Sequence, residues 1–253
     1  MKHTKSFVII LFFGIALSGS VVADANSNKV DIQKEITLNN ASTEIENILS
    51  VDEQELFYDS LLSEKDEEIY TNGQGDYYYF GDTGDVTGYT CKEEAFGDNG
   101  LKADEEKVKK AAEKYLKSMV EDPTYYQLKS IDYDEYVYIY SFMYTHQIDS
   151  VDTNDVILLG IDNDLKLVSF SLPRPYAFQE MDNMQIDRDK IEKEALDIFS
   201  KEHNGNTQEA KVAELVLVKE DDGKMYYLAQ VETHSATNGN VTESIDTVFI
   251  PIE

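Results

Sequence analysis

Two stretches of the chain place apolar residues three and four positions apart. In KVKKAAEKYL (107–116), Val108, Ala112, Tyr115 and Leu116 share one side of a helix, and in KIEKEALDIF (190–199), Ile191, Ala195, Ile198 and Phe199 repeat the pattern. Each stretch precedes runs rich in β-branched and aromatic residues: YYQLKSI, EYVYIYSFMYTH and DVILLGI after the first, AELVLV, KMYYLAQVETH and DTVFIPI after the second. Asp222-Gly223 supplies a two-residue hairpin turn in the second set. The pattern predicts an α+β chain of two tandem units, each one helix packed on a three- to four-stranded antiparallel sheet.

Upstream the periodicity is less regular. Residues 26–40 are polar and read as a linker, while Ile45, Ile48, Leu49, Leu56 and Leu61 carry the spacing of an N-terminal helical extension. DYYYFGDTGDVTGYT then predicts two short strands around a turn at 81–85, as the end of an incomplete earlier unit or an added edge of the first sheet. The chain divides into residues 1–25, a linker and helical segment at 26–65, a first unit with its preceding hairpin at 66–175, and a second unit at 176–253.

Residues 135–146 carry a ring at every second position: Tyr136, Tyr138, Tyr140, Phe142 and Tyr144. Read as one strand, the segment points all five the same way. Superposing Thr145-His146 on Thr233-His234 without a gap places Val137, Ile139, Ser141 and Met143 on Met225, Tyr227, Ala229 and Val231, a largely apolar parity assigned to the helix-covered face. The rings fall on Lys224, Tyr226, Leu228, Gln230 and Glu232, which predicts that the stripe lies on the face away from its own helix. It is the candidate binding face. Its cover is the N-terminal helix around Leu56, Phe57, Leu61 and Leu62 or the second unit, an extracellular protein, peptide, protease or second copy, or a wall glycan. The absence of Trp weighs against the glycan.

The first residues set an expectation of export. MKHTK is basic, SFVIILFFGIALSG is apolar and short for a bilayer span, and Ala23 and Ala25 stand at the spacing of a signal-peptidase site. LSGS at 17–20 has a serine where a lipobox needs cysteine, which predicts an unlipidated product beginning at Asn26, secreted or loosely associated with the wall and without stable membrane insertion. A single cysteine, Cys91, excludes an intramolecular disulfide and reads as a small core filler.

Charge narrows the partners. With 22 Lys+Arg against 50 Asp+Glu, the net charge of −28 repels phosphate backbones and anionic membrane surfaces, so nucleic acid is excluded as a partner. The acidic loops at 149–155 and 162–166 lack the glycine and distal glutamate of an EF-hand, and no metal site or cofactor is expected. Beyond His3, only His146, His203 and His234 are available. There is no His-Glu-x-x-His helix, no Gly-x-Ser-x-Gly elbow and no phosphate-cradling glycine loop. Carboxylate pairs such as Glu93-Glu94 or Asp132-Asp134 leave a secreted hydrolase as the alternative to a non-catalytic protein.

The tandem helix-and-sheet arrangement, the acidic composition and the hairpin GDTGDV resemble the PepSY domain family of secreted bacterial proteins, over roughly residues 75–253. That family's strands end in an Asp-x-x-Thr-Gly-x-Val hairpin. Asp82, Thr83, Gly84 and Val86 match it with one residue missing, residues 162–168 form a copy without Thr-Gly, and the second unit reaches Glu253 without one. The resemblance implies a non-enzymatic role, since such domains occur in peptidase propeptides and envelope proteins, as protease-modulating or partner-binding modules.

Overall fold

The computed structural model describes residues 45, 47–49, 55–63, 67–81, 84–92, 102–173, 178, 181, 183–203, 210–220, 223–237 and 240–252. The expected signal peptide, the linker and the Glu93-Glu94 pair lie outside them. The described strands form one α+β sheet of eleven strands with few helices. The strands are β1 (Phe57–Tyr58), β2 (Glu67–Thr71), β3 (Tyr77–Gly81), β4 (Val86–Thr90), β5 (Tyr126–Asp134), β6 (Ile139–Ile148), β7 (Val151–Asp162), β8 (Leu167–Ser171), β9 (Ala210–Lys219), β10 (Met225–Thr237) and β11 (Asn240–Pro251). Two helices, α1 (Glu105–Met119) and α2 (Arg188–Glu202), fall where the periodicity predicts them.

Each helix begins at an aspartate. The Asp104 and Asp187 carboxylates accept the N–H of Lys107 and Lys190, both at 3.1 Å, satisfying donors that the first turn leaves free. Val108, Ala112 and Leu116 of α1 bury into one hydrophobic core, and Ile191, Ala195 and Phe199 of α2 into another. The first core includes Ile45 and Ile48 from the N-terminal segment, together with Tyr70, Tyr78, Phe80, Val86, Ile157, Leu159 and Phe170. The second includes Phe178, Leu215, Leu217, Tyr227, Ala229, Val231, Val248 and Ile250.

β7 joins the two halves. Along one side it pairs with β6; along the other its C-terminal half pairs with β8 and its N-terminal half with β9. The β7–β9 contact is parallel and short, pairing Asp152 with Val216 and Thr153 with Leu217. Asn154 extends it: its Nδ2 donates to the Lys219 carbonyl and its Oδ1 accepts the Lys219 N–H, both at 3.0 Å, so a side-chain amide replaces a peptide group. Because paired residues share a face and β7 alternates through residues 151–159, both helices cover the same side of the sheet.

The N-terminal segment departs from expectation. Residues 45 and 47–49 are helical, but the helical reading around Leu56, Phe57, Leu61 and Leu62 is corrected: Phe57–Tyr58 is a strand on β2, and Leu61 and Leu62 are exposed. The Asp59 carboxylate accepts the N–H groups of Leu61 and Leu62, stabilising a turn at their expense as helix members. The hairpin around residues 81–85 is present, and β4 pairs with β8, so β1–β4 extend the first sheet.

Four hairpin connections share one geometry. In the turns beginning at Asn72, Gly81, Asp162 and Glu220, the first residue's N–H bonds to the fifth residue's carbonyl, and the fourth residue's N–H returns to the first. The fourth residue has positive φ in each: Gly75, Gly84, Leu165 and Gly223. Gly223 therefore belongs to a longer connection than the two-residue turn expected there. The 162–166 copy has Leu165 in the left-handed conformation where the other three turns have glycine, and the Asp162 carboxylate accepts the N–H groups of Asp164 and Lys166.

Candidate binding surface

The five rings of residues 135–146 do not form one stripe. Strand β5 stops at Asp134, whose carboxylate accepts the N–H of Tyr136 at 2.8 Å and of Val137 at 3.3 Å. That Asx turn breaks the strand reading at residues 135–138. Tyr136 is 92 % exposed at its tip, and Tyr138 takes a left-handed φ of 59°.

Tyr140, Phe142 and Tyr144 lie on β6 and are buried, but on the face predicted to be open. They pack in the core with Val108, Ala112 and Leu116 of α1, so the sequence assignment of faces is reversed. The reason is the anchor. Inward positions are even in β6 and odd in β10, where Tyr227, Ala229 and Val231 are buried, so the even offset that superposes Thr145-His146 on Thr233-His234 matches inward residues with outward ones. These three rings are interior, in the core they share with α1, Ile45 and Ile48.

Their polar ends differ. The Tyr140 hydroxyl donates to the Ala103 carbonyl at 2.6 Å, and its ring meets Tyr133 at 4.5 Å. The Tyr144 hydroxyl is buried with no hydrogen-bond partner among the described residues, and burial with nearby Glu113 pushes it up to about 12.

At the seam between the cores, β6 and β7 slip register between Thr145 and Gln147. His146, buried there, lies against the rings of Tyr125, Tyr126 and Phe178. Gln147 and Lys129 both reach Asp152, at 2.6 Å. Asp155 is buried on the helix side of β7, and loss of solvent pushes its carboxyl up to about 7 despite the opposing field of Lys219. The other histidines are elsewhere: His203 caps α2 on the Phe199 carbonyl, and His234 pairs with Glu232. Among the described residues no group of three or more His, Cys, Asp or Glu stands close enough to hold a metal. Asp149 and Asp162, from the two acidic loops, accept backbone N–H groups instead. Cys91 packs against the first core.

Among the described residues, the surface open to a partner is the sheet face that neither helix covers. It carries Leu158 on β7, Val216 and Val218 on β9, Tyr226 and Leu228 on β10, and Ile245 and Phe249 on β11. Leu228 pairs with Val216 on one side and Phe249 on the other, and the rings of Tyr226 and Phe249 meet edge to face at 5.5 Å. In the sequence Tyr226 and Leu228 of this row stand on the parity opposite to that of Tyr227, Ala229 and Val231. No helix of the described residues is long and apolar enough to cross a membrane.

No family model matches the chain, and no curated protein matches its sequence. Among solved structures, the Bacillus megaterium YpeB C-terminal domain is similar, with 15% identity, a TM-score of 0.48, and coverage of 85% of this chain and 97% of that one.

Proposed function

We propose that the chain is a secreted, non-catalytic binding or protease-modulating protein of the bacterial envelope or extracellular space, built of two PepSY-like helix-on-sheet units at 66–175 and 176–253. The observation that carries this reading is the sheet face left open opposite both helices, with Leu158, Ile245 and Phe249 exposed on it. The basic-apolar-small pattern of residues 1–25 supports export, and the strong negative charge favours a soluble, monodisperse binder. The protease-modulating role rests on the PepSY resemblance of the GDTGDV hairpin and the paired helices.

Two measurements test it. Expressed with residues 1–25 in a bacterial host, the protein is expected in the medium, unlipidated, with Asn26 at its N-terminus; recovery only in detergent-extracted membranes rules out export. Purified residues 26–253 are expected to bind or inhibit an extracellular protease and to leave wall polysaccharide intact. Release of new reducing ends from polysaccharide overturns the non-catalytic reading.

A further inference from the structure

Among the described residues, β1, β5 and β11 are the outer strands of the sheet. An exposed edge is a template for another chain, and proteins blunt it with short strands, bulges or inserted lysines. β1 is two residues long. β5 slips at a bulge between Leu128 and Ser130, with Lys129 at that point held to Asp152. β11 is twelve residues long, and runs against β10 without a bulge. From residue 235 onward the sequence holds no Lys or Arg.

The backbone of β11 shows which groups are free. The Ile252 N–H donates to the Met225 carbonyl, so these residues form a hydrogen-bonded pair, and antiparallel alternation puts Tyr227–Ile250, Ala229–Val248 and Val231–Asp246 in the same class. The N–H and C=O groups of Ile245, Thr247 and Phe249 therefore point outward. Pro251 has the same parity, and a proline fits there because its missing N–H would have faced away from β10. Ile245 is 54 % and Phe249 58 % exposed, on the open face beside Tyr226 and Leu228.

We propose that residues 245–249 of β11 are a docking edge for an extended, cationic segment of a partner protein, which adds as a further strand. Charge selects the occupant. Glu243, Asp246 and Glu253 are the charged residues of this C-terminal stretch, and the whole chain carries −28, so a second copy arrives with the same sign and a basic segment with the opposite one. Main-chain bonds to the three outward residues supply affinity, and apolar side chains at alternate positions settle beside Ile245 and Phe249. The inference rests on the binding role proposed above and adds its place and the chemistry of its partner.

The probe is a synthetic peptide of about nine residues alternating lysine and valine, compared with the same peptide N-methylated at alternate backbone amides. Binding to the full chain is read by fluorescence anisotropy and by hydrogen exchange. The expected result is slowed exchange at the amides of Ile245, Thr247 and Phe249, with N-methylation weakening binding about tenfold or more. Thr247→Pro removes only an outward N–H and is expected to weaken the unmethylated peptide to a similar degree. Equal binding of both peptides, or no protection at these three amides, overturns the proposal in favour of diffuse charge attraction. Protection without peptide in a light-scattering dimer overturns it in favour of a second copy. Polysaccharide turnover by the purified chain would sink the non-catalytic reading while leaving these exchange results to stand or fall alone.

Discussion

The two helix-covered regions place helices of the same pattern against stretches of one sheet that differ in character. Over the first, Val108, Ala112 and Leu116 meet Tyr140, Phe142 and Tyr144, and β1–β4 add Tyr70, Tyr78 and Phe80 to the same core. Over the second, Ile191, Ala195 and Phe199 meet Tyr227, Ala229 and Val231, and the sheet stops at β11. Both helices carry a small residue at the same place, Ala112 and Ala195; the first region sets three rings in its core from β6, while the second sets Tyr227 with the smaller Ala229 and Val231 and adds the bulky Phe199 from the helix. What differs is the edge: the first region is extended by further strands, whereas β11 is an outer strand among the described residues.

The strongest break of this comparison is Phe142→Ala, which removes a fully buried ring from the first core. It is expected to destabilise by about 4 kcal/mol in denaturant melts. A loss below about 1 kcal/mol shows that the ring is not interior.

Asp155 sits at the seam between the regions and adds a pH dependence. Burial raises its folded carboxyl to about 7, above its ordinary unfolded value, so the folded state keeps a proton that the unfolded chain releases. Its contribution therefore diminishes stability as pH rises from about 4 to about 7 and is constant above that range. Relative to Asp155→Asn, the wild-type chain is expected to lose on the order of 3 kcal/mol across this window. Urea melts of both proteins at either end of the window check it; identical slopes contradict the burial of the charge.

The helices, most strands and the hairpin at 81–85 were legible because they depend on local spacing and turn chemistry. Val108, Ala112 and Leu116 needed no tertiary knowledge to be grouped. The ring stripe is not one strand because the Asx turn at Asp134 ends β5 before Tyr136, and its face is inverted because Thr145-His146 and Thr233-His234, alike in sequence, do not stand at equivalent parity in β6 and β10. The turn was foreshadowed by Asp132 and Asp134 in DYDEY, residues that favour turns over strand interiors. The joining of both halves through two parallel pairs and the Asn154 amide left no sequence signature, because it depends on contacts between segments more than sixty residues apart.

Two tyrosines of β6 sharpen the comparison within the first core. Tyr140→Phe deletes a hydrogen bond to Ala103 and leaves that carbonyl without it, which is expected to destabilise by about 1 to 2 kcal/mol. Tyr144→Phe deletes a buried hydroxyl that has no partner among the described residues, and it is expected to be neutral or stabilising by up to about 1 kcal/mol. Equal losses in the two variants show that both hydroxyls are bonded.

The smallest effect belongs to the second region's bare strand. Phe249 is more than half exposed, beside Leu228 and the edge of the Tyr226 ring on the open face, so little apolar area is returned to water when it is shortened. The ladder to β10 uses the backbone of Val248 and Ile250, whose side chains enter the core, and leaves that of Phe249 facing outward. Phe249→Ser is therefore expected to change stability by no more than about 0.5 to 1 kcal/mol in the same melts that register Phe142→Ala strongly. If β11 serves as the docking edge, this nearly silent variant still weakens the lysine-valine peptide several-fold, since the partner loses an apolar neighbour it meets only in the complex. A large loss of stability would show instead that Phe249 is already covered within the chain, making the first region and the second alike in closing their sheets.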